Sequence, residues 1–225
     1  AKKTKPTIFK GYEETTLKAN VKALVSDSKE VDELSNNSKQ SAIITDVSCF
    51  YAESGGQVGD KGIILSDNAE FRVTDTRKTP QGIFIHFGNI ISGNFKIGHE
   101  VNLKIDTSLR DFIKKNHSAT HLLHAALRNN LGPHVAQRGS LVNENKLRFD
   151  FSHNKQISSK QIDIIQKEVT DIISNSCETQ IEIKSQEEAI KQGAMALFGE
   201  KYGEDVRVVT LGKHNNKPYS IELCG

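Results

Sequence analysis

The stretch DTSLRDFIKKNHSATHLLHAALRNNLGP, residues 106–133, separates two differently patterned halves of the sequence. Within it apolar residues recur every three or four positions, as on one face of an α-helix, and Gly132-Pro133 is a typical stop signal. The sequence therefore predicts one long helix that starts after Asp106 and ends near Gly132-Pro133. The apolar residues that define its face are Leu109, Phe112, Ile113, Leu122, Leu123, Ala126 and Leu127.

Upstream of this helix the sequence is typical of β-strands. Short runs rich in Val, Ile, Phe and Thr are separated by turn residues. Such spacing favours an antiparallel sheet that curls into a small barrel or sandwich. The polar run from Ser26 to Gln40 is predicted to form an exposed excursion or a long hairpin. The predicted strands cover residues 21–26, 41–47, 61–65, 70–76, 82–87 and 101–105.

Downstream of the helix, strand and helix patterns are mixed. Residues 139–151 alternate as in a hairpin, and a second helix is predicted from Ser158 to about Asn175. Ser185 and Glu188 have the spacing of a capping box that opens a short helix. Further strands are predicted at residues 180–184, 205–211 and 218–223.

These patterns together predict an α+β fold with two modules. An N-terminal, antiparallel β-barrel-like module occupies residues 1–105. An α+β module, residues 106–225, carries the long histidine-bearing helix packed on an antiparallel sheet.

The composition excludes several classes of protein. The 225 residues include 30 basic and 28 acidic side chains, for a formal net charge of +2. No apolar run approaches the roughly 18 residues needed to cross a bilayer, and the N-terminal lysines precede no apolar signal-peptide core. Three widely spaced cysteines do not suit a disulfide scaffold. We therefore expect a cytoplasmic protein with no membrane partner.

Histidines concentrate in one segment of the chain. Residues 106–153 hold five of the eight histidines, and seven basic against four acidic residues. His117 and His121, at positions i and i+4, project from one helix face and could bind a metal such as zinc. His124, at i+7, is a third candidate, and the alternative is a polar helix face that caps neighbouring backbone groups. The intervening residues lack the glutamate of the H-E-x-x-H peptidase motif.

The cysteines differ in context. Cys224 ends a predicted strand and could add a thiolate to the histidine pair. Cys49 lies in an apolar strand context and Cys177 at a helix end, positions more typical of inert packing residues.

Five segments together resemble the editing region of bacterial alanyl-tRNA synthetase, of the threonyl/alanyl-tRNA synthetase second-additional-domain superfamily. They are long, occur in the expected order and extend over essentially the whole chain. The segments are FYAESGGQVGDKG (50–62), NHSATHLLHAALR (116–128), SLVNENKLRFDFSH (140–153), GAMALFGEKYG (193–203) and SIELCG (220–225).

The resemblance implies a hydrolytic site that removes serine or glycine wrongly attached to the alanine tRNA. Its one zinc ion would be bound by His117, His121 and Cys224. The family motif continues Cys-Gly-Gly-Thr-His, so the fourth ligand is expected three residues beyond Gly225, and the chain is expected to be truncated within its metal motif. The implied partners are the acceptor end of tRNA(Ala) and the remainder of a synthetase that joins alanine to its tRNA with ATP.

Other site residues follow from the resemblance, each beside a plainer interpretation. Thr120 and Gln137 match pocket positions, although each side chain could equally bond to its own backbone or loop. The glycine-rich loop would lie near the pocket, whereas its spacing alone favours a tight turn. The loop residues that would contact substrate or tRNA are Gly55, Gly56 and Gln57. Apart from the resemblance, the positive charges of Arg138 and Arg148 could contact tRNA phosphates, although each alone is more typical of a solvated charge.

Three alternatives stay open on the sequence. One is a free-standing trans-editing deacylase of the same superfamily, although the start at Ala1 and the end at Gly225 favour a piece of a longer enzyme. A second is the editing domain of threonyl-tRNA synthetase, against which the β module argues. The third is a non-catalytic tRNA-binding module with a structural zinc.

Overall fold

Strands dominate the described part of the chain, and its helices follow the strands of the first hundred residues. The computed structural model describes residues 5–35, 40–175, 179–194, 204–214 and 217–224. The strands are β1 (Ile8–Phe9), β2 (Thr16–Ser26), β3 (Lys29–Val31), β4 (Glu33–Leu34), β5 (Ser41–Thr45), β6 (Val47–Ser48), β7 (Gly62–Ser66), β8 (Ala69–Lys78), β9 (Phe84–Ser92), β10 (Phe95–Lys96), β11 (Glu100–Ile105), β12 (Gln137–Val142), β13 (Leu147–Phe151), β14 (Thr179–Ser185), β15 (Asp205–His214) and β16 (Lys217–Leu223). The helices are α1 (Thr107–Leu131), α2 (Ser159–Ser174) and α3 (Gln186–Lys191).

Six antiparallel strands of the first half close into a barrel. They pair in the order β11–β7–β8–β9–β5–β2, and β11 then pairs back onto β2. Alternate residues of β8 and β11 are buried, as expected where one face of each strand points into a core. The interior is filled by Leu24, Ile43, Phe71, Phe95 and Leu103, among others. The α+β class with a barrel-like first module is therefore confirmed.

One predicted strand of the barrel is interrupted, and the polar run after Ser26 forms a hairpin, one of its two predicted alternatives. The run 41–47 is interrupted at Asp46, whose carboxylate accepts hydrogen bonds from the backbone and side-chain amides of Asn20, each 2.8 Å long. The polar run after Ser26 turns tightly at Asp27 and Ser28, both with positive φ, and returns as β3.

Polar residues hold the first two turns of α1 in place. The Asp106 carboxylate accepts a 3.0 Å hydrogen bond from the amide of Leu109, as an N-cap residue does. One turn into the helix, Arg110 pairs with the buried carboxylate of Asp60 and donates to the carbonyls of Gly11 and Cys49.

The chain divides into two compact units, Ala1–Phe112 and Ile113–Gly225. In the second unit the antiparallel sheet β14–β15–β16 has helices on both faces. On one face Leu122 of α1 and Ile172 of α2 pack on Val209 and Leu211. On the other face Ala189 of α3 packs on the sheet.

Smaller features of the second unit also follow from sequence. The hairpin β12–β13 places Phe149 and Phe151 on the core formed by α1 and α2. The predicted capping box at Ser185 is present, and a further capping box, which was not predicted, opens α2 at Ser158. Of the helices described here, none is long and apolar enough to serve as a membrane span.

Candidate metal centre

Two of the candidate ligands are neighbours on α1. His117 and His121 are one helical turn apart, and their rings stack at a centroid distance of 4.9 Å. His121 is buried, whereas His117 is half-buried. The helix therefore supplies two imidazoles at the spacing predicted from the sequence.

The third candidate ligand comes from the end of β16. Successive side chains of a strand point to opposite faces, so Ser220, Glu222 and Cys224 share one face. The Cys224 amide donates to the carbonyl of Arg207 over 2.9 Å, which continues the pairing with β15 one residue past the strand. This backbone bond holds the buried thiol in place beside α1.

The three groups converge on one small volume. The Cys224 Sγ atom lies 3.4 Å from Nε2 of His117, and one ligand atom from each of the three residues lies within 4.8 Å of the others. Nε2 of His121 is fully buried and has no hydrogen-bond partner in the described part of the chain. A buried ring nitrogen without a partner is costly unless something else binds it. Two imidazole nitrogens and one thiolate are a donor set that suits zinc, so the residues present fit this metal.

The electrostatics of the cluster favour a thiolate. Burial raises the pKa of Cys224, but the neighbouring His117 and His121 outweigh burial and lower it to about 6. The Arg207 guanidinium, 3.6 Å from Sγ, adds a further donor. Because metals bind the deprotonated thiol, this environment prepares Cys224 to act as a ligand.

A buried acid also contacts the cluster, and it was not among the residues singled out from the sequence. Glu222 is 1% exposed, and its Oε2 lies 2.5 Å from Nδ1 of His121. Burial raises the pKa of Glu222, but the neighbouring His121 and His124 outweigh burial and hold the carboxyl ionised. The period of two along β16 was a usable signal, since it places Glu222 on the same face as Cys224.

Among the described residues the potential metal cluster comprises His117, His121 and Cys224. His124 belongs to a different set of contacts. Its Nδ1 lies 3.3 Å from Oε1 of Glu222, and its ring packs on Phe149.

The two pocket candidates have local partners. The buried Thr120 hydroxyl donates to the carbonyl of Asn116 over 2.8 Å, one turn earlier in α1. Gln137 begins β12, and its side-chain amide lies 3.5 Å from the hydroxyl of Ser140.

The candidate tRNA contacts lie on the β12–β13 hairpin and on the glycine-rich loop. Arg148 pairs with Asp150 on the exposed face of β13, and Arg138 is exposed on β12. In the first unit, Gly55 and Gly56 have positive φ and form the turn of an isolated bridge between Ser54 and Gln57. Glycine is favoured at both positions because L side chains rarely adopt this conformation.

The other cysteines have simpler surroundings. Cys49 lies in the barrel core, where burial raises the pKa of its thiol to about 12. Cys177 and Gly225 lie outside the described residues.

The first unit also contains an open pocket with a volume of about 690 Å³. Its cationic side chains are Lys61, Arg72 and Lys104, and Asp106 is its single carboxylate. Because one carboxylate and no histidine or thiol line it, the metal chemistry of this chain is to be sought at the cluster in the second unit.

Comparison with known proteins shows which sequences this chain resembles. The model of the family tRNA synthetases class II (A) matches residues 1–109. The alanine–tRNA ligase of Mesorhizobium japonicum is 45% identical over 227 residues, covering 99% of this chain and 26% of that enzyme. The chain is homologous to part of alanine–tRNA ligase.

Two further alanine–tRNA ligases are similar to this chain to about the same degree. That of Parvibaculum lavamentivorans is 47% identical over 97% of this chain, and that of Rhizobium johnstonii is 45% identical over 97%. The chain spans about a quarter of the length of each of these relatives. The resemblance to alanyl-tRNA synthetase is thereby confirmed.

Proposed function

We propose that this chain is the editing part of an alanine–tRNA ligase. It would hydrolyse the ester that joins serine or glycine to the 3′ adenosine of tRNA(Ala). The observation that carries the proposal is the convergence of His117, His121 and Cys224 in a chain homologous to alanine–tRNA ligases.

The chemistry of alanine selection supplies a reason for such a site. An alanine pocket cannot exclude glycine, which is smaller, and one added hydroxyl lets it reject serine by only about 100-fold. A second, hydrolytic site corrects errors of this size. Hydrolytic editing would therefore add the discrimination against serine and glycine that the alanine pocket alone does not provide.

Zinc is the metal that the donor set fits best. His121 would bind it through Nε2, His117 through an imidazole nitrogen and Cys224 through its thiolate. Bound zinc supplies Lewis acidity toward an ester oxygen or a water molecule. Tetrahedral zinc takes four ligands, so three protein ligands leave one position for water or for a group outside the described residues.

The remaining site residues are assigned by proposal. Thr120 and Gln137 would line the pocket that receives the aminoacyl group. The hydroxyl of Thr120 keeps its lone pairs available, because it donates its hydrogen to Asn116.

Contacts to tRNA are proposed for both modules, residues 1–105 and 106–225. Arg138 and Arg148 would contact phosphates of the tRNA acceptor end. The loop of Gly55, Gly56 and Gln57 would approach the substrate. The remainder of the synthetase, with its ATP-dependent attachment of alanine, would be the other partner.

The test is a deacylation assay with three substrates, Ser-tRNA(Ala), Gly-tRNA(Ala) and Ala-tRNA(Ala). The zinc-loaded chain should release serine and glycine and spare alanine. Cys224→Ala should lose this activity, whereas Cys49→Ala, which removes a thiol from the barrel core, should retain it. Binding of tRNA without release of serine or glycine would instead indicate a non-catalytic zinc module.

A further inference from the structure

We propose that Glu222 is a positioning residue that holds His121 in the tautomer and orientation needed to bind metal. The inference rests on the proposed metal site and concerns a residue outside the ligand set. It is carried by the geometry of Glu222, His121 and the groups around them.

The first step is to establish which of the two residues carries the hydrogen between them. Oε2 of Glu222 lies 2.5 Å from Nδ1 of His121. An ionised carboxylate only accepts hydrogen bonds, so Nδ1 must carry the hydrogen. In a neutral imidazole the lone pair is then on Nε2, which is the buried nitrogen that lacks a hydrogen-bond partner in the described part of the chain.

The second step is that Glu222 is itself held in place. The Ser220 hydroxyl donates to Oε1 over 3.0 Å, and Nδ1 of His124 lies 3.3 Å from the same oxygen. Side chains from β16 and α1 therefore surround the carboxylate, which is 1% exposed. A carboxylate fixed from both elements can fix the direction of the His121 ring.

The third step is the general behaviour of such triads. Histidines that bind metal usually donate their other ring N–H to a carboxylate or carbonyl, which sets the tautomer and raises the basicity of the ligating nitrogen. Loss of such a partner lowers metal affinity by roughly 10–100-fold. His124 would then act on the metal only through Glu222, which explains why it lies beside the cluster without belonging to it.

The alternative is that Glu222 only joins α1 to β16. A matched control is available, because Glu168 of α2 also joins these elements: it accepts hydrogen bonds from Asn129, Asn130 and Tyr219. Glu222→Gln and Glu168→Gln each replace a carboxylate by an amide of the same shape. A purely structural role predicts similar consequences for the two variants.

The experiment compares the wild-type chain, Glu222→Gln and Glu168→Gln with zinc alone as the ligand. Zinc affinity is measured by competition with a chromophoric chelator, and the ring nitrogens of His121 are assigned by ¹⁵N NMR. In the wild-type chain, zinc should bind Nε2 while Nδ1 keeps a slowly exchanging hydrogen. Glu222→Gln should lower zinc affinity by about 10–100-fold and make that hydrogen exchange faster. Glu168→Gln should change neither.

Several outcomes would overturn the inference. Unchanged zinc affinity and an unchanged His121 tautomer in Glu222→Gln would show that Glu222 does not position this ligand. Equal losses in both glutamine variants would show a structural role, and failure of the wild-type chain to bind zinc would remove the site itself. Because no readout uses tRNA, a chain that binds zinc as described but does not deacylate would contradict only the proposed function.

Discussion

The Cys224 thiol lies 3.4 Å from Nε2 of His117, although 107 positions of sequence separate the two residues. The contact exists because β16 packs its last residues beside α1, where Cys224 shares a core with Leu122. The proposed ligand set is therefore complete only when the second unit is folded. Metal binding to such a site adds its free energy to folding.

The ligand assignment predicts a loss of zinc binding when any one ligand is removed. His117→Ala, His121→Ala and Cys224→Ala should each lower zinc affinity by more than about 100-fold. That value is the upper end of the loss expected for a residue that only supports a ligand. Zinc should raise the melting temperature of the wild-type chain and leave that of the variants unchanged. Competition titrations and thermal unfolding with added zinc measure both effects, with Cys49→Ala as the control. Undiminished stoichiometry in all three variants would rule out this ligand set.

If Gln137 lines the pocket, its removal should impair deacylation without impairing zinc binding. Gln137→Ala should leave zinc affinity within about twofold of wild type, because its amide lies beside Ser140 and outside the ligand cluster. The kcat/KM for Ser-tRNA(Ala) deacylation should fall by about tenfold or more, the loss expected for one polar contact to the transition state. Parallel losses of zinc and activity would contradict the pocket role.

The Arg110–Asp60 pair should be important for the stability of the first unit. Asp60 is 2% exposed and also accepts a 2.6 Å hydrogen bond from the amide of Tyr51. Arg110→Ala leaves this buried carboxylate without its cation, so the free energy of unfolding should fall by about 3–5 kcal/mol. Hydrogen exchange of the slowest barrel amides measures the change. Arg77→Ala, which breaks an exposed pair with Asp75, should have little effect.

The barrel should lose stability in mild acid because of His86. Burial lowers the pKa of this ring to about 4 from 6.5, and its neutral form bonds to Ser48 and to the carbonyl of Ile43. Between these values the unfolded chain binds more protons than the folded chain, so stability is present above pH 6.5 and is lost as the pH falls toward 4. The loss should reach about 2 kcal/mol at pH 5.

Hydrogen exchange of β5 and β9 amides at pH 7 and pH 5, corrected for intrinsic exchange rates, measures this dependence. His86→Leu should be less stable at pH 7, because Ser48 and Ile43 lose a partner, but should depend less on pH. His99→Gln should keep the wild-type dependence. An equally steep dependence in His86→Leu would assign the effect to another group.

Much of the local structure could be predicted because it depends on side-chain periods. The period-two strands of the barrel, the period of α1, and the cap at Ser185 are each encoded within a few residues. Breaks in these patterns were harder to predict. The interruption at Asp46 depends on Asn20 of the neighbouring strand β2, whose backbone and side-chain amides donate to the Asp46 carboxylate.

The sequence by itself determined the α+β class and the long histidine helix, because helix and strand periods are local properties. It offered His117, His121, His124 and Cys224 as candidate metal ligands, and the set of three followed from the family resemblance. The tertiary structure alone decided that Cys224 reaches His117, that Glu222 contacts His121, and that Arg110 pairs with Asp60. Each of these contacts joins residues far apart in the chain, so each depends on which elements pack together. Packing is decided by burial of apolar surface over a whole unit, which no short stretch of sequence specifies.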